Sequence, residues 1–381
     1  MATLNRAFHA GASAVPTSDN GRLIVEFKRR LMLTVAVVAL VSGGTTTSAS
    51  AHEGHKTPVV TELASFAAAG CTGGCGSGST VGPDRALYVT DGKAGNVYRI
   101  DPKTGAISTF ASGLPPSHHP IPDIGGAMDV AFIGNTAYVL VTLVGVVFGE
   151  PDVVDGIYRI EADGTGTPIA DIGTWAIDHA PATKFFVPTG VQYAMQPYGR
   201  GFLVTDGHHN RVLRVKLNGE VSEVIAFDDI VPTGLALSEG KKVYMAEAGP
   251  VPHLPEDGKI LKFKVKRPES KAVVASGAPL LVDVEFRHED LYALSQGLWT
   301  LDPTDENNEG QPASPNTGTL EKVTEDGGFR TVVGGLDRPT SLEFIGKSAY
   351  VVTLTGKVLK IDNIARHDDD DEGDDHEGGD D

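Results

Sequence analysis

The stretch Ala86-Leu87-Tyr88-Val89-Thr90-Asp91 has the composition of a short buried strand, because β-branched and aromatic residues favour pleated structure. The same kind of stretch recurs five more times along the chain. The further copies are residues 137–140, 202–206, 243–247, 291–294 and 349–353. A strand that recurs in this way predicts an architecture built from repeated units.

Each copy stands within a larger repeated unit of four strands. An amphipathic strand with a charged residue at a fixed place follows every copy, from Val97-Tyr98-Arg99-Ile100 in the first unit to Val358-Leu359-Lys360-Ile361 in the last. An inner strand such as residues 233–237 precedes each copy, and an outer strand such as residues 107–110 ends each of the first five units. Four strands per unit and six units predict an all-β fold, a six-bladed β-propeller of four-stranded antiparallel blades.

The sixth unit lacks its outer strand. Residues 60–66, Val-Thr-Glu-Leu-Ala-Ser-Phe, precede the first inner strand and match the outer-strand pattern. Pairing of this segment with the last unit closes the ring and removes an exposed sheet edge. The alternative, an open stack of six sheets, leaves both strands without partners. We therefore predict that the N-terminal strand closes the last blade.

Residues 1–51 are predicted to be an N-terminal extension plus a secretory signal peptide. Lys28, Arg29 and Arg30 precede an apolar run at 31–41, and Ala-Ser-Ala at 49–51 is a cleavage site of the usual small-residue kind. A membrane anchor is the weaker alternative, since a span needs about 20 apolar residues. The mature protein is expected to be secreted, in the periplasm or outside the cell, without a membrane span. Its propeller is expected to occupy residues 52–364.

The charge is concentrated at the C-terminus. The net charge is −18, and residues 368–381 contain ten Asp or Glu and no Lys or Arg. A block of this kind predicts a disordered acidic tail at residues 365–381. The rest of the chain carries about −8, which argues against nucleic acid as a partner, because Lys and Arg at phosphates dominate that affinity.

Two cysteines, Cys71 and Cys75, lie in a Gly-rich segment. In an oxidising compartment they are expected to form a local disulfide. The triplet Ala-Gly-Cys at 69–71 also resembles a lipoprotein cleavage site, but it lies far beyond the apolar run of the signal peptide. The disulfide is the favoured interpretation.

Several strings together resemble one family of exported propellers. Gly82-Pro83-Asp84 ahead of residues 86–91, the run at 205–212 and the run at 336–344 are similar to the ScyD/ScyE family, and the blade with Asn210 and Arg211 is similar to an NHL repeat. The resemblance implies export and a TolB-like six-bladed fold. It supplies no catalytic residues. The wider six-bladed group includes calcium-dependent lactonases and strictosidine synthase, so function depends on this chain's own site.

The long loops are predicted to emerge on one face of the ring, because successive loops of an antiparallel blade alternate between its two faces. Both tryptophans and half of the histidines lie in these loops, where binding residues tend to concentrate. We therefore expect a ligand-binding face there, although any single histidine in such a loop can simply be solvated. The candidate residues are His118, His119, Trp175, His179, His208, His209, His253 and Trp299.

A second candidate site lies on the axis of the ring. Alignment of the inner strands gives a column of Gly78, Asp129, Gly190, Gly234, Asp283 and Ser341, and then a column of Thr80, Ala131, Gln192, Ala236, Glu285 and Glu343. Carboxylate oxygens are suitable ligands for Ca²⁺. An axial Ca²⁺ site is therefore one hypothesis, and its candidate ligands are Asp129, Asp283, Glu285 and Glu343. Hydration by channel water is the alternative.

Two functions follow from these sites. The favoured hypothesis is a non-enzymatic scaffold that binds a protein, a glycan or a small molecule through its long-loop face. The alternative is a calcium-dependent hydrolase or lactonase with an axial metal and a general base such as His208 or His253. The sequence contains no nucleophile elbow, no paired acid and base and no cofactor loop.

Overall fold

The computed structural model confirms a six-bladed β-propeller of four-stranded antiparallel sheets. It describes residues 56–68, 71–117, 124–305, 308 and 310–364. Each sheet is one blade, and its strands run in sequence order from the axis outward, except in the last blade. The predicted signal segment at 1–51 and the predicted tail at 365–381 lie outside the described residues.

The strand bounds, from the inner to the outer strand of each blade, are as follows. Blade 1 contains β2 (Ser79–Val81), β3 (Leu87–Asp91), β4 (Asn96–Ile100) and β5 (Ile107–Ala111), and blade 2 contains β6 (Gly126–Ile133), β7 (Thr136–Thr142), β8 (Gly156–Ile160) and β9 (Gly166–Asp171). Blade 3 contains β10 (Gln192–Pro197), β11 (Gly201–Asp206), β12 (Arg211–Lys216) and β13 (Val221–Ala226), and blade 4 contains β14 (Pro232–Leu237), β15 (Val243–Glu247), β16 (Lys259–Lys264) and β17 (Arg267–Ser276). Blade 5 contains β18 (Leu281–Arg287), β19 (Asp290–Ser295), β20 (Gly318–Val323) and β21 (Phe329–Leu336), and blade 6 contains β22 (Pro339–Ile345), β23 (Ser348–Thr353), β24 (Lys357–Asp362) and β1 (Val59–Ser65). A 3-10 helix (Val146–Phe148) follows β7, and α1 (Ile172–Asp178) follows β9.

The N-terminal strand closes the ring as the sequence predicts. Strand β1 pairs antiparallel with β24, from Val59 opposite Asp362 to Ser65 opposite Lys357. The strand begins and ends one residue earlier than the predicted segment, while the amide of Phe66 still donates to the carbonyl of Gly356 at 3.0 Å. The outer edge of β24 is therefore covered by the chain's own strand.

The recurring tyrosine of the repeat packs neighbouring blades together. Tyr88 of β3 contacts Phe132 of blade 2 edge-on, with ring centroids 4.8 Å apart. Similar pairs, at 5.0–5.2 Å, join blade 2 to blade 3 through the second strand of blade 3, and blades 4 to 5 and 5 to 6 through the inner strand of the later blade. They are Tyr138 with Phe202, Tyr244 with Phe286, and Tyr292 with Phe344. Each such pair contributes about 0.5–1.5 kcal/mol beyond its buried area, so the repeat encodes contacts between blades as well as strands.

Two smaller features complete the fold. Cys71 and Cys75 form a disulfide in the segment that leads from β1 to β2. Among the residues that the structure describes, no helix is both long and apolar enough to span a bilayer.

Candidate functional site

The two faces of the ring carry loops of different length. The long loops lie at the end of the ring at which the inner strands of the blades begin. We call this end the long-loop face. Its loops, as far as the structure describes them, are residues 112–117 with 124–125, 143–155, 172–191, 248–258, and 296–305 with 308 and 310–317. The opposite, short-turn face carries turns such as 134–135 and 217–220. The structure thus places the long loops together, as the alternation of antiparallel strands requires.

A buried ion pair supports the longest loop of blade 3. The Arg211 Nε donates to Asp206 Oδ2 at 3.0 Å, and both side chains are almost fully enclosed. His209 Nδ1 lies 3.1 Å from the same carboxylate oxygen, and the amide of Val191 donates to the other oxygen at 3.1 Å. Burial alone would raise the pKa of Asp206, but His209 and Arg211 together hold it below its usual range. Asp206 is therefore a buried anion that three partners hold in place.

Arg211 also holds the helix at the start of this loop. Its Nη1 donates to the carbonyl of His179 at 2.6 Å, and its guanidinium lies 4.9 Å from the centre of the Trp175 ring. The Trp175 and His179 rings stack with centroids 4.3 Å apart. The structure thus brings together three of the predicted binding residues, Trp175, His179 and His209, around one arginine.

His208 and His209 anchor the second half of the same loop. The His208 Nε2 accepts the amides of Phe186 at 2.9 Å and Val187 at 3.1 Å. Burial lowers the pKa of His208 to about 4, so the ring is neutral at physiological pH. The other histidine, His209, contacts the carbonyl of Val187 through Nε2 at 2.9 Å. Both histidines position the loop.

His253 and Trp299 form a separate cluster on blades 4 and 5. Their rings meet edge-on at 5.9 Å, and Trp299 is only 7% exposed. His253 Nδ1 contacts the carbonyl of Gly249 at 2.7 Å, and the Trp299 indole donates to the carbonyl of Gln311 at 3.1 Å. These two residues pack the loops together and offer little surface to a partner. The remaining two candidates, His118 and His119, lie outside the described residues.

The exposed apolar side chains of the long-loop face were missed by sequence reasoning. Phe186 is 52% exposed, although its neighbour Phe185 packs against His209. Seven of the eleven large apolar side chains that are exposed among the described residues lie in these loops; the other four lie on outer strands. The seven, which we call the apolar rim, are Val146, Val147, Ile177, Phe186, Leu254, Leu298 and Leu301. The only feature of the sequence that could have indicated these seven side chains is the presence of large apolar residues in the long loops.

A buried carboxylate fixes two loops of the apolar rim relative to each other. Asp155 accepts the amides of Val144 at 2.9 Å and Gly145 at 3.2 Å, which set the base of loop 143–155. Its carbonyl accepts the amides of Ile172 and Gly173, both at 2.9 Å, at the start of α1. Burial raises the pKa of Asp155 to about 6. The segments that carry Val146, Val147 and Ile177 are thus held by one residue.

The axis of the ring encloses a channel of about 310 Å³ that all four predicted axial carboxylates line. Asp129 accepts the amide of Met195 in the next blade at 2.7 Å, and Asp283 accepts the amide of Leu342 in the next blade at 2.7 Å. The second oxygen of each accepts the amide of the following residue at 2.8 Å. Asp129 and Asp283 are therefore clamps between adjacent blades.

The predicted axial columns need one correction, in blade 3. Met195 pairs with Val204 at the level at which Val130 pairs with Val139. The inner strand of blade 3 is therefore shifted by four residues relative to the predicted columns. The triplet Thr-Gly-Val at 189–191 resembles Thr-Gly-Leu at 233–235, but β10 begins only at Gln192. The residues that occupy the positions assigned to Gly190 and Gln192 are Ala194 and Gln196.

Glu285 and Glu343 occupy the part of the channel nearer the short-turn face. Burial and the charge of Asp283 raise the pKa of Glu285 to about 8. Burial, followed by the charge of Glu285, raises the pKa of Glu343 well above its usual range. Burial likewise raises the pKa of Asp283 to about 7 and that of Asp129 well above normal. Burial therefore favours the protonated form of all four carboxyl groups in the channel.

These carboxylates do not fit a calcium site. Calcium takes six to eight oxygen ligands, whereas Asp129 and Asp283 each use both oxygens to accept backbone amides. Across the described ranges no three His, Cys, Asp or Glu side chains come together where they could hold a metal ion.

No protein-family model matches this chain, and no curated protein matches it. Solved structures do. A gluconolactonase from Xanthomonas campestris is 12% identical over 77% of this chain and 87% of its own, with a TM-score of 0.51. A PQQ-bound aldose sugar dehydrogenase from Streptomyces coelicolor is 12% identical over 80% of this chain and 98% of its own, with a TM-score of 0.50. A virginiamycin B lyase from Staphylococcus aureus is 15% identical over 80% and 99%, with a TM-score of 0.44. At these identities the likeness shows the class alone: a six-bladed β-propeller.

Proposed function

We propose that this protein is an exported, non-enzymatic propeller of the ScyD/ScyE kind, which binds a protein, a glycan or a small molecule through its long-loop face. The observation that carries the proposal is the apolar rim. Exposed large apolar side chains are concentrated in the loops of that face, and the turns of the short-turn face contribute none among the described residues. A concentration of apolar surface on one face is typical of a docking site.

The buried contacts that hold the loops support this proposal. The Asp206–Arg211 pair holds loop 172–191, and Asp155 joins loop 143–155 to α1. A loop that is already ordered loses less conformational entropy when it binds, so its exposed side chains contribute more to affinity. Phe186 and Ile177 are the side chains that we expect to contribute most, because bulky side chains buried on binding dominate interface energetics.

The alternative, a calcium-dependent hydrolase or lactonase, has less support. The axial carboxylates do not fit a calcium ion, for the reasons given above. The two candidate bases, His208 and His253, are engaged by loop backbone, and neither lines the axial channel.

The test compares two variants that each remove one exposed apolar side chain. Phe186→Ser changes the long-loop face, and Val273→Ser changes an equally exposed residue on the outer strand β17. Immobilised proteins capture a partner from the extracytoplasmic fraction of the source cells, and the purified partner is then titrated against each variant. We expect Phe186→Ser to weaken binding at least tenfold and Val273→Ser to change it less than twofold. Equal loss in both variants, or calcium-dependent hydrolysis of gluconolactone by the wild type, would count against the proposal.

A further inference from the structure

The short-turn face of blade 4 carries a group of cations that is unusual for an acidic protein. We call it the basic cluster: Lys241, Lys242, Lys264, Lys266 and Arg267. All five side chains are exposed. Within the part of the chain that the structure describes, none of them forms an ion pair with an acidic residue. Two acidic residues lie nearby, Glu239 in the turn before β15 and Glu269 on β17, so the five cations leave the local charge positive.

The strand register places these cations against each other. Val243 pairs with Phe263 at the end of the β15–β16 ladder, so that Lys242 and Lys264 stand opposite each other at the next step. Lys264 also pairs with Arg267 across the β16–β17 ladder. Like charges that face each other directly across strands are unfavourable, and an anion bound between them would remove the repulsion.

The acidic end of the chain leaves the propeller one blade away from the basic cluster. Ile364, two residues after β24, is buried, and its carbonyl accepts the Arg287 Nη1 at 2.8 Å. Arg287 ends β18 on the short-turn face, and the ring of its neighbour Phe286 contacts Tyr244 of blade 4 with centroids 5.0 Å apart. Tyr244 lies two residues from Lys242 on β15. The exit point of the chain is therefore anchored beside blade 4.

We propose that the acidic segment 368–381 of this chain occupies the basic cluster on the short-turn face. The segment carries ten acidic residues and no Lys or Arg, which complements the charge of the cluster. Asp368 lies four positions after Ile364, and four residue steps span about 14 Å when extended. Neighbouring sheets lie about 10 Å apart, so the first acidic residues reach blade 4 without any change in the propeller.

The contact needs no fixed conformation of the segment. A tethered chain of this length has an effective concentration on the order of millimolar at its target, and several weak ion pairs suffice to hold it there. Screening weakens such pairs beyond about 10 Å at 0.1 M salt, so the contact is expected to fail at high salt. An external polyanion has to displace the segment before it reaches the cluster, and the long-loop face stays open.

The test uses the full chain and a matched variant in which five tail acids are neutralised: Asp368→Asn, Asp369→Asn, Asp370→Asn, Asp371→Asn and Glu372→Gln. Lysines are acylated at low salt, and the rate at each site is read by mass spectrometry. We expect Lys242 and Lys264 to react about three to ten times faster in the variant, as for a site released from a weak electrostatic contact. The exposed lysines Lys93 and Lys103 on blade 1 serve as internal controls and are expected to keep their rates.

A zero-length carbodiimide cross-link gives a second measurement. The proposal predicts cross-links from the acidic segment to Lys242 or Lys264, lost at 0.5 M salt, a concentration at which exposed ion pairs are strongly screened. Unchanged lysine rates in the variant would overturn the proposal. Cross-links from the acidic segment to Lys93 and Lys103 that are as frequent as those to Lys242 and Lys264 would also overturn it. A third contradicting result would be that added heparin slows acylation of the basic cluster, while the wild-type tail does not slow it relative to the variant.

Discussion

Replacement of Arg211 by methionine tests whether the long-loop face rests on a buried charge network. Arg211 and Asp206 are almost fully enclosed and 3.0 Å apart, so that Arg211→Met leaves an anion in the interior without its main partner. Removal of one partner from a buried pair costs about 3–5 kcal/mol. His209 and the amide of Val191 still contact the carboxylate, so we expect the lower end, about 3 kcal/mol, which lowers the melting temperature by about 6 °C.

An exposed pair supplies the control. Arg99 lies only 2.6 Å from Asp84, but both side chains are more than one-third exposed. Because exposed pairs contribute about 0–1 kcal/mol, Arg99→Met is expected to lose much less stability than Arg211→Met, despite its shorter distance. The double variant Asp206→Asn plus Arg211→Met should recover part of the loss, since it removes the unpaired charge.

Urea denaturation at several pH values measures these differences. The folded pKa of Asp206 is held low, so the pair stabilises the fold above the usual pKa of aspartate and loses that effect as pH falls through the folded value. In Arg211→Met, burial dominates and Asp206 takes up a proton more readily, so the deficit relative to wild type should shrink toward pH 4. Equal losses in Arg211→Met and Arg99→Met, or a deficit that is independent of pH, would refute the reasoning.

Two further predictions concern the axis and the closure of the ring. Because burial raises the folded pKa values of Asp283 and Glu285 to about 7 and about 8, the stability that these two groups contribute should be fully present below the ordinary carboxyl pKa and be lost as pH rises through the folded values. Calorimetry should show a flatter profile for Glu285→Gln and an unchanged one for the exposed Glu239→Gln; parallel profiles in all three proteins would contradict this. A chain that begins at Ala67 lacks β1 and exposes the edge of β24, so it should melt lower and self-associate in size-exclusion chromatography, whereas a chain that begins at Lys56 should not. Identical behaviour of the two chains would contradict closure by β1.

The fold was predictable because its signals are local and repeated. The strand Leu87–Asp91 and its copies identify the blades, and the tyrosine within most copies marks the contact with the next blade. The closing strand was predictable because one outer-strand pattern stood at the wrong end of the chain. The error in blade 3 arose because two similar triplets, at 189–191 and 233–235, lie at different positions relative to their inner strands. Only the pairing of Met195 with Val204 reveals this difference.

The site was less predictable because exposure depends on loop packing. Phe185 and Phe186 are adjacent and chemically identical, yet one packs on His209 and the other is exposed. Trp299 has the residue type of a binding anchor but is buried by the loops around it. The partners of Asp129 and Asp283 are backbone amides in the next blade, and no pattern within one strand identifies them.

Hydrogen exchange of the protein with and without its captured partner tests the central proposal most directly. Binding through the long-loop face predicts that protection on complex formation appears in residues 143–155 and 172–191, with outer strand β17 unchanged. Protection confined to the short-turn face or to the outer strands would contradict the proposed binding face.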